Sequence, residues 1–290
     1  MTAGLRKTAA LLALAVMFTG CSAPAESESG AALPDVVGSM DIRYAEQFSV
    51  DYLADGSALA EVADGRRYLI IPDGGEVPEQ LPEDVTVISQ PENIYLASSS
   101  SMDLFSSLDC LGDILASSTP ESGWKLPEIA QAMADEDILY AGKYSSPDIE
   151  LLMSEGCDLA IENMMIYHSP KTAEQIESCG IPVFIERSSA ESHPLGRLEW
   201  VRLYGLMLGK SDEAEKFFSE KCSLLDEVTS RESTGCTAAF FYISSNGSAV
   251  VRKPGDYISK MIELAGGKYV FTAGDLNVDE NALSSANIQF

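Results

Sequence analysis

Three short stretches concentrate side chains able to hold a small molecule. "ENMMIYHS" (162–169) brings Glu162, Met164, Met165, Tyr167 and His168 together. His, Met and Tyr can ligate the iron of a haem, and thioether and aromatic groups suit a flat macrocycle. The alternative is local packing for Met164 and Met165, with His168 beside the start of the next helix. "ERSSAESHP" (186–194) offers Arg187, Ser188 and His193, and "VVRKPGDY" (250–257) offers Arg252 and Tyr257. A guanidinium presents paired N–H donors to carboxylate or catecholate oxygens. The alternative is that both arginines are surface charges. "SSSSM" (98–102), with Ser99 and Met102, supplies hydroxyls and backbone N–H groups at a helix start, a possible anion nest. "GKYSS" (142–146) adds Lys143 and Tyr144.

The pattern does not read as an enzyme. His168 and His193 are the only imidazoles, and there is no H-x-x-E-H, G-x-S-x-G or P-loop. A hydrolase built on Ser188 and His193 has nothing further in the sequence to support it. Cys110, Cys157, Cys179, Cys222 and Cys236 are scattered, odd in number and without C-x-x-C spacing. This argues against a disulfide framework or a zinc site and for small buried hydrophobes. No cofactor and no resident metal are expected.

The elements that must position these residues alternate. Residues 47–89 carry short β-like runs, "FSVDYL", "ALAEVA", "RRYLIIP" and "VTVIS", separated by turn formers such as "PDGG". Strand "NIYLAS" (93–98) then precedes helix "MDLFSSLDCLG", "DILYAG" precedes "SPDIELLMSEG", and "CDLAIE" precedes "SPKTAEQIESCG", before strand "IPVFIE". Nearly all-apolar strands alternating with helices imply a parallel sheet covered on both faces, with ligands beyond the C-terminal strand ends. All the candidates of the first lobe lie at such ends. Helices follow over 195–208 and from Ser211, the second long enough to join two lobes. Strand "CTAAFFYIS" then opens a second α/β unit. Few elements follow it before Phe290, so order is expected to end near residue 272. Arg187 and Arg252 are expected to flank one cleft from opposite lobes, which points to an anionic ligand.

The N-terminal stretch sets the compartment. Arg6 and Lys7 precede an apolar run, "AALLALAVMF" (9–18), too short to span a bilayer but suited to a secretory leader. "FTGC" resembles a lipobox, which implies cleavage and lipidation at Cys21; the alternative is an ordinary signal peptide. Residues 22–40 are small, polar and Pro/Gly-containing, and read as a flexible tether. With Lys+Arg 19 against Asp+Glu 45, the net charge is −26, which argues against nucleic acid or anionic lipid as partner. The membrane is expected to be met through the lipid anchor only.

The element order and two motifs resemble the substrate-binding lipoproteins of bacterial ABC importers for ferric siderophores, haem and cobalamin. The motifs are "SPDIELLMSEGCDLAI" (146–161) and "MIELAGGKYVF" (261–271), with Tyr269 where the family usually has asparagine. The resemblance implies an α/β fold of two Rossmann-like lobes joined by a long helix, the second lobe here incomplete. The implied organisation is signal 1–21, tether 22–40, first lobe 41–210, linking helix 211–231 and partial second lobe 236–290. It implies capture of an iron chelate outside the cytoplasm and delivery to ABC permease and ATPase subunits. A ferric siderophore is the first choice, and haem or cobalamin the second. It also implies docking of Glu150 and Glu263, one per lobe, to permease arginines. That would explain an anion in the last turn of a helix, where the helix dipole disfavours it.

Overall fold

The computed structural model describes residues 33–288. Strands β1 (Val36–Ser39), β2 (Phe48–Leu53), β3 (Ala58–Val62), β4 (Arg67–Ile71) and β5 (Val85–Ser89) form one sheet in sequence order. Neighbours are antiparallel except β4 and β5, which are parallel. Residues 36–39 therefore do not belong to a tether, as the sequence suggested. Val36 and Ser39 pair with Leu53 and Asp51, which gives that backbone its hydrogen-bond partners. The leader, Cys21 and residues up to 32 lie outside the described residues.

The second sheet is wholly parallel. It contains β6 (Ile94–Leu96), followed by α1 (Met102–Ser107), then β7 (Ile114–Ser117), α2 (Pro127–Ala134) and β8 (Leu139–Tyr140). A two-residue ladder, β9 (Gly142–Lys143) with β10 (Ser146–Pro147), leads into α3 (Ile149–Ser154). The sheet ends with β11 (Leu159–Asn163), α4 (Pro170–Ser178) and β12 (Val183–Glu186). Across the sheet the strands run β12-β11-β6-β7-β8. Asp148 starts α3 by accepting the Leu151 N–H at 3.0 Å, as an N-cap aspartate should.

Alternation along these strands sorts the side chains between two cores. Ile94, Leu96, Leu159, Ile161 and Phe184 face a large core shared with the first sheet. That core also takes in α5 (Pro194–Met207) and α6 (Ser211–Thr229). Tyr95, Ala97, Ala116, Ala160 and Val183 face the other way, toward Leu152, Ala173 and Ile176 of α3 and α4. Helix α5 is buried along most of its length, with Trp200 wedged against Phe48 at 4.9 Å between ring centroids. A side chain at Gly205 would collide with Ala214, so this glycine lets α5 and α6 pack closely. At 1.5 Å per residue, α6 is about 28 Å long.

Beyond α6 the chain forms β13 (Thr237–Ala238), β14 (Phe241–Ile243), β15 (Ala249–Arg252), α7 (Tyr257–Leu264), β16 (Lys268–Tyr269), α8 (Ala273–Leu276) and β17 (Ser285–Ile288). The single strand expected over 236–244 is two. β13 pairs with β16 in parallel, while β14 joins an antiparallel sheet ordered β14-β15-β17. Order does not end near residue 272: Ala286 and Ile288 of β17 pair with Val251 and Ala249. Asp256 ties this end together. Its carboxylate caps α7 at Ile258 N (3.0 Å), accepts from Ser284 N (3.2 Å) and lies 3.6 Å from Arg252 Nη1. The lobe buries few large side chains, chiefly Val250, Val251 and Tyr269.

Candidate ligand site

From β6 the chain moves outward through β7 and β8, then returns to the other side of β6 with β11 and β12. Loops leaving β6 and β11 therefore diverge at the strand ends, the crevice where doubly wound sheets bind ligands. Hydrogen bonds fix that corner. The Asn163 amide donates to Ala97 O (3.1 Å), and its oxygen accepts from Met165 N (2.8 Å). Ser98 Oγ and Ser100 Oγ donate to Glu186 Oε2 at 2.7 and 3.3 Å, and Ser188 N donates to Glu186 Oε1 at 2.6 Å. Glu186 is fully buried, so these donors supply what water would have given it. Sequence reading missed Asn163, Ser98 and Glu186. The available signal was a polar residue closing each apolar strand run.

Around this corner the structure keeps some candidates and removes others. Ser99, Lys143, Met165, Tyr167 and His168 are exposed, and Tyr144 is half-buried against the second core. Met102 is wholly enclosed in the first core and is no ligand contact: α1 turns it inward beside Phe105. Glu162 is also wholly enclosed. It shares a sheet face with Tyr95, because Ala160, two residues earlier, is the partner of Tyr95. A cleft ligand cannot reach it there. Neither its carboxylate oxygens nor the Tyr95 hydroxyl has a hydrogen-bond partner among the described residues. Burial pushes the Glu162 carboxyl up to about 8.

Arg187 is not a free cation. Its Nε and Nη2 donate to Gln47 Oε1 (3.2 and 3.1 Å), and its Nη1 donates to Tyr167 OH at 3.0 Å. Tyr167 in turn donates to Asp64 Oδ2 at 2.6 Å. This chain braces the first sheet against the loop after β11. Arg252 is held by Asp256 and lies 5.7 Å from the Phe240 ring centroid. Tyr257 lies under Arg197, 4.1 Å from its guanidinium carbon. Neither Arg187 nor Arg252 lines the cleft between the lobes, so the pair of facing arginines expected from sequence is not formed there.

That cleft is a cavity of about 790 Å³. One wall includes Gln47, Ser192 and His193; the other includes Lys260, Lys268 and Tyr269. Lys260 and Lys268 are its cations, set among Glu46, Glu263 and Glu280. His193 caps α5 by accepting Leu195 N at 3.1 Å and stacks on Tyr44 at 4.7 Å. Burial, and then the charge of Lys260, lower its pKa. Ser188 is buried, and no hydrogen bond joins it to His193 among the described residues. Glu150 is exposed in the first turn of α3. Glu263 is half-exposed, lines the cleft and lies 3.5 Å from Lys260 Nζ. No group of three metal-ligating side chains forms among the described residues, and none of their helices is long and apolar enough to cross a membrane.

No family model matches the chain. An uncharacterized lipoprotein, MJ0878, of Methanocaldococcus jannaschii is 24% identical over 247 residues, covering 79% of this chain and 56% of the relative. The chain thus spans little more than half the length of that curated relative. Among solved structures, the periplasmic haem-binding protein HutB of Vibrio cholerae superposes with TM-score 0.54 at 15% identity, over 68% of this chain and 70% of that one. The petrobactin-binding protein YclQ of Bacillus subtilis gives 0.55 at 12%, over 78% and 68%. A periplasmic binding protein of Veillonella parvula gives 0.55 at 18%, over 73% and 70%. The fold is therefore that of periplasmic substrate-binding proteins. The three solved structures are named as binding proteins.

Proposed function

We propose that this chain is the extracytoplasmic receptor of an ABC importer, anchored through a lipidated Cys21, that captures a ferric siderophore and hands it to a membrane permease. The supporting observation is the doubly wound lobe joined to a second lobe across a cavity of about 790 Å³. That size lies within the roughly 300–1,000 Å³ usual for small-molecule sites. A partner ATPase supplies the energy; the receptor supplies only binding and delivery.

Calorimetric titration tests the ligand. Ferric siderophores are expected to bind at nanomolar to micromolar strength, roughly −8 to −12 kcal/mol. Lys260→Ala is expected to weaken an anionic chelate by about 1.5 kcal/mol, near tenfold, the usual worth of one charge-assisted bond. The exposure of Met165 and His168 on one turn favours haem as the second reading. A Soret shift lost in His168→Ala, with no siderophore heat, would establish haem instead. Silence toward siderophores, haem and cobalamin alike would defeat the receptor reading.

Glu150 and Glu263 are proposed as docking charges. Rim ion pairs alter association and salt dependence more than the affinity of a separate site. Glu150→Arg should leave chelate affinity unchanged and lower stimulation of the importer ATPase in proteoliposomes. Glu263→Arg is less selective, because that carboxylate also lines the cleft. Full stimulation by both variants would remove the docking role.

A further inference from the structure

Two side chains on the first-lobe wall of the cleft have their polarity set by a hydrogen bond made elsewhere. Gln47 Oε1 accepts from both Nε and Nη2 of Arg187, at 3.2 and 3.1 Å. A guanidinium only donates, so the amide cannot turn over, and its NH₂ is the end left for the cavity. His193 is set in the same way. Its Nδ1 accepts Leu195 N at 3.1 Å, which requires a lone pair on that nitrogen. A neutral imidazole then carries its proton on Nε2. Burial and the Lys260 ammonium lower the His193 pKa against the opposing pull of Glu199, so the ring stays uncharged at neutral pH. Neither the Gln47 NH₂ nor His193 Nε2 has a hydrogen-bond partner among the described residues, and both residues line the cavity. Both are also held in position. The His193 ring stacks on Tyr44, whose N–H donates to Glu199 at 2.7 Å, and Gln47 N donates to Glu191 Oε1 at 3.0 Å. All of these hydrogen bonds and the stack lie within the first lobe. Glu46, the acceptor on this wall, is exposed to solvent.

We propose that Gln47 and His193 are the specificity-determining donors of the site, presenting N–H groups of fixed polarity to oxygen acceptors of a chelate whose metal is already enclosed by its own ligand atoms. This rests on the receptor reading above and names the face of the ligand that the first lobe reads. His193 is excluded as an iron ligand by its own cap. Coordination through Nε2 needs a lone pair there, so the proton would move to Nδ1 and meet the Leu195 N–H head-on. The metal therefore stays in the oxygen shell of its chelator. Hydroxamate and catecholate chelates share that chemistry, since both surround the metal with acceptor oxygens. A ligand that turned donors to this wall would leave both sides unpaired, which is the strongest form of polar discrimination. Donors ordered before the ligand arrives also lower the entropy cost of binding.

Long-range proton–nitrogen correlation spectra of the full chain in mild detergent test the polarity. The chain has two histidines, so His168→Ala leaves His193 alone in the spectrum. The Nε2–H tautomer is expected at neutral pH; the Nδ1–H tautomer would overturn the proposal. Calorimetry with the gallium(III) complex of a tris-hydroxamate, which is uncharged at the metal centre, tests the use of the donors. His193→Asn keeps a capping oxygen for Leu195 N and removes Nε2–H. It should weaken binding about three- to tenfold, the worth of one neutral hydrogen bond. Gln47→Glu keeps an acceptor for Arg187 and puts a second acceptor where the NH₂ was. It should weaken binding about tenfold or more while the urea midpoint holds or rises. A purely structural Gln47 would instead leave binding intact. The gallium tris-catecholate should show the same order of variants. Binding by the parent that neither variant weakens would overturn the donor role and leave the receptor reading standing. A parent that binds neither chelate would overturn both. Axial imidazole ligation of haemin lost only in His193→Asn would overturn the donor role alone.

Discussion

Replacing Glu199 by alanine is expected to destabilise the folded chain by about 3–5 kcal/mol, the usual cost of breaking a buried charge network. The Glu199 carboxylate is fully buried in α5. It accepts hydrogen bonds from Arg43 N (2.9 Å), Tyr44 N (2.7 Å), Ala45 N (2.9 Å) and Arg202 Nη1 (3.0 Å). Glu191 continues the clamp, accepting from Glu46 N (2.8 Å), Gln47 N (3.0 Å) and Trp200 Nε1 (3.0 Å). Together they pin segment 43–47, which joins β1 to β2, onto the start of α5. Removing one carboxylate leaves several donors buried and unpaired, and that desolvation cost exceeds the loss of the bonds themselves. Glu199→Gln should also destabilise, since an amide NH₂ would face donors. Urea unfolding should show a lower midpoint, with Glu191→Ala plus Glu199→Ala less than additive because they hold one segment. A midpoint shift worth under about 1 kcal/mol would show that the segment is held by its side chains instead.

The second large effect is on pH dependence. The Glu162 carboxyl is pushed up to about 8 by burial, from an ordinary value of 4.5. Between those values the folded chain holds a proton that the unfolded chain releases. Stability from this group therefore falls as pH rises through that window, by about 1.4 kcal/mol per unit, and levels off above it. The sum is roughly 3–5 kcal/mol, a large part of a typical domain's stability. Glu162→Gln keeps the shape and removes the titration. It should match the parent near pH 4.5 and be several kcal/mol more stable at pH 8. The groups facing the carboxyl include Tyr95, which burial and Glu162 push the same way. Tyr95→Phe removes an orphan hydroxyl and should leave the slope in place. Parallel unfolding profiles for parent and Glu162→Gln would mean that the folded state already gives this carboxyl access to water.

Local pattern was enough to read most of the alternating strands and helices of the first lobe, because apolar periodicity and turn residues act over a few residues, but it passed over β7 and α2. "CDLAIE" and "IPVFIE" became β11 and β12, and the helices around 195–208 and after Ser211 became α5 and α6. Strand ends carrying polar side chains could be read in the same way, as could the motifs that pointed to the fold. Which end residues reach a ligand could not. Met102 and Ser99 sit three residues apart, yet one is enclosed and the other exposed, because α1 turns one side to the core. Glu162 and Asn163 are adjacent, but strand alternation sends Glu162 into the helix-covered face while Asn163 bridges to Ala97. Arg187 lost its freedom to Gln47, 140 residues away, and Glu199 found its donors more than 150 residues upstream. The hydrogen-bonding capacity of each group is written in its residue type. The partner that satisfies it is chosen by packing, since a buried polar atom must bond whatever the fold brings within about 3 Å.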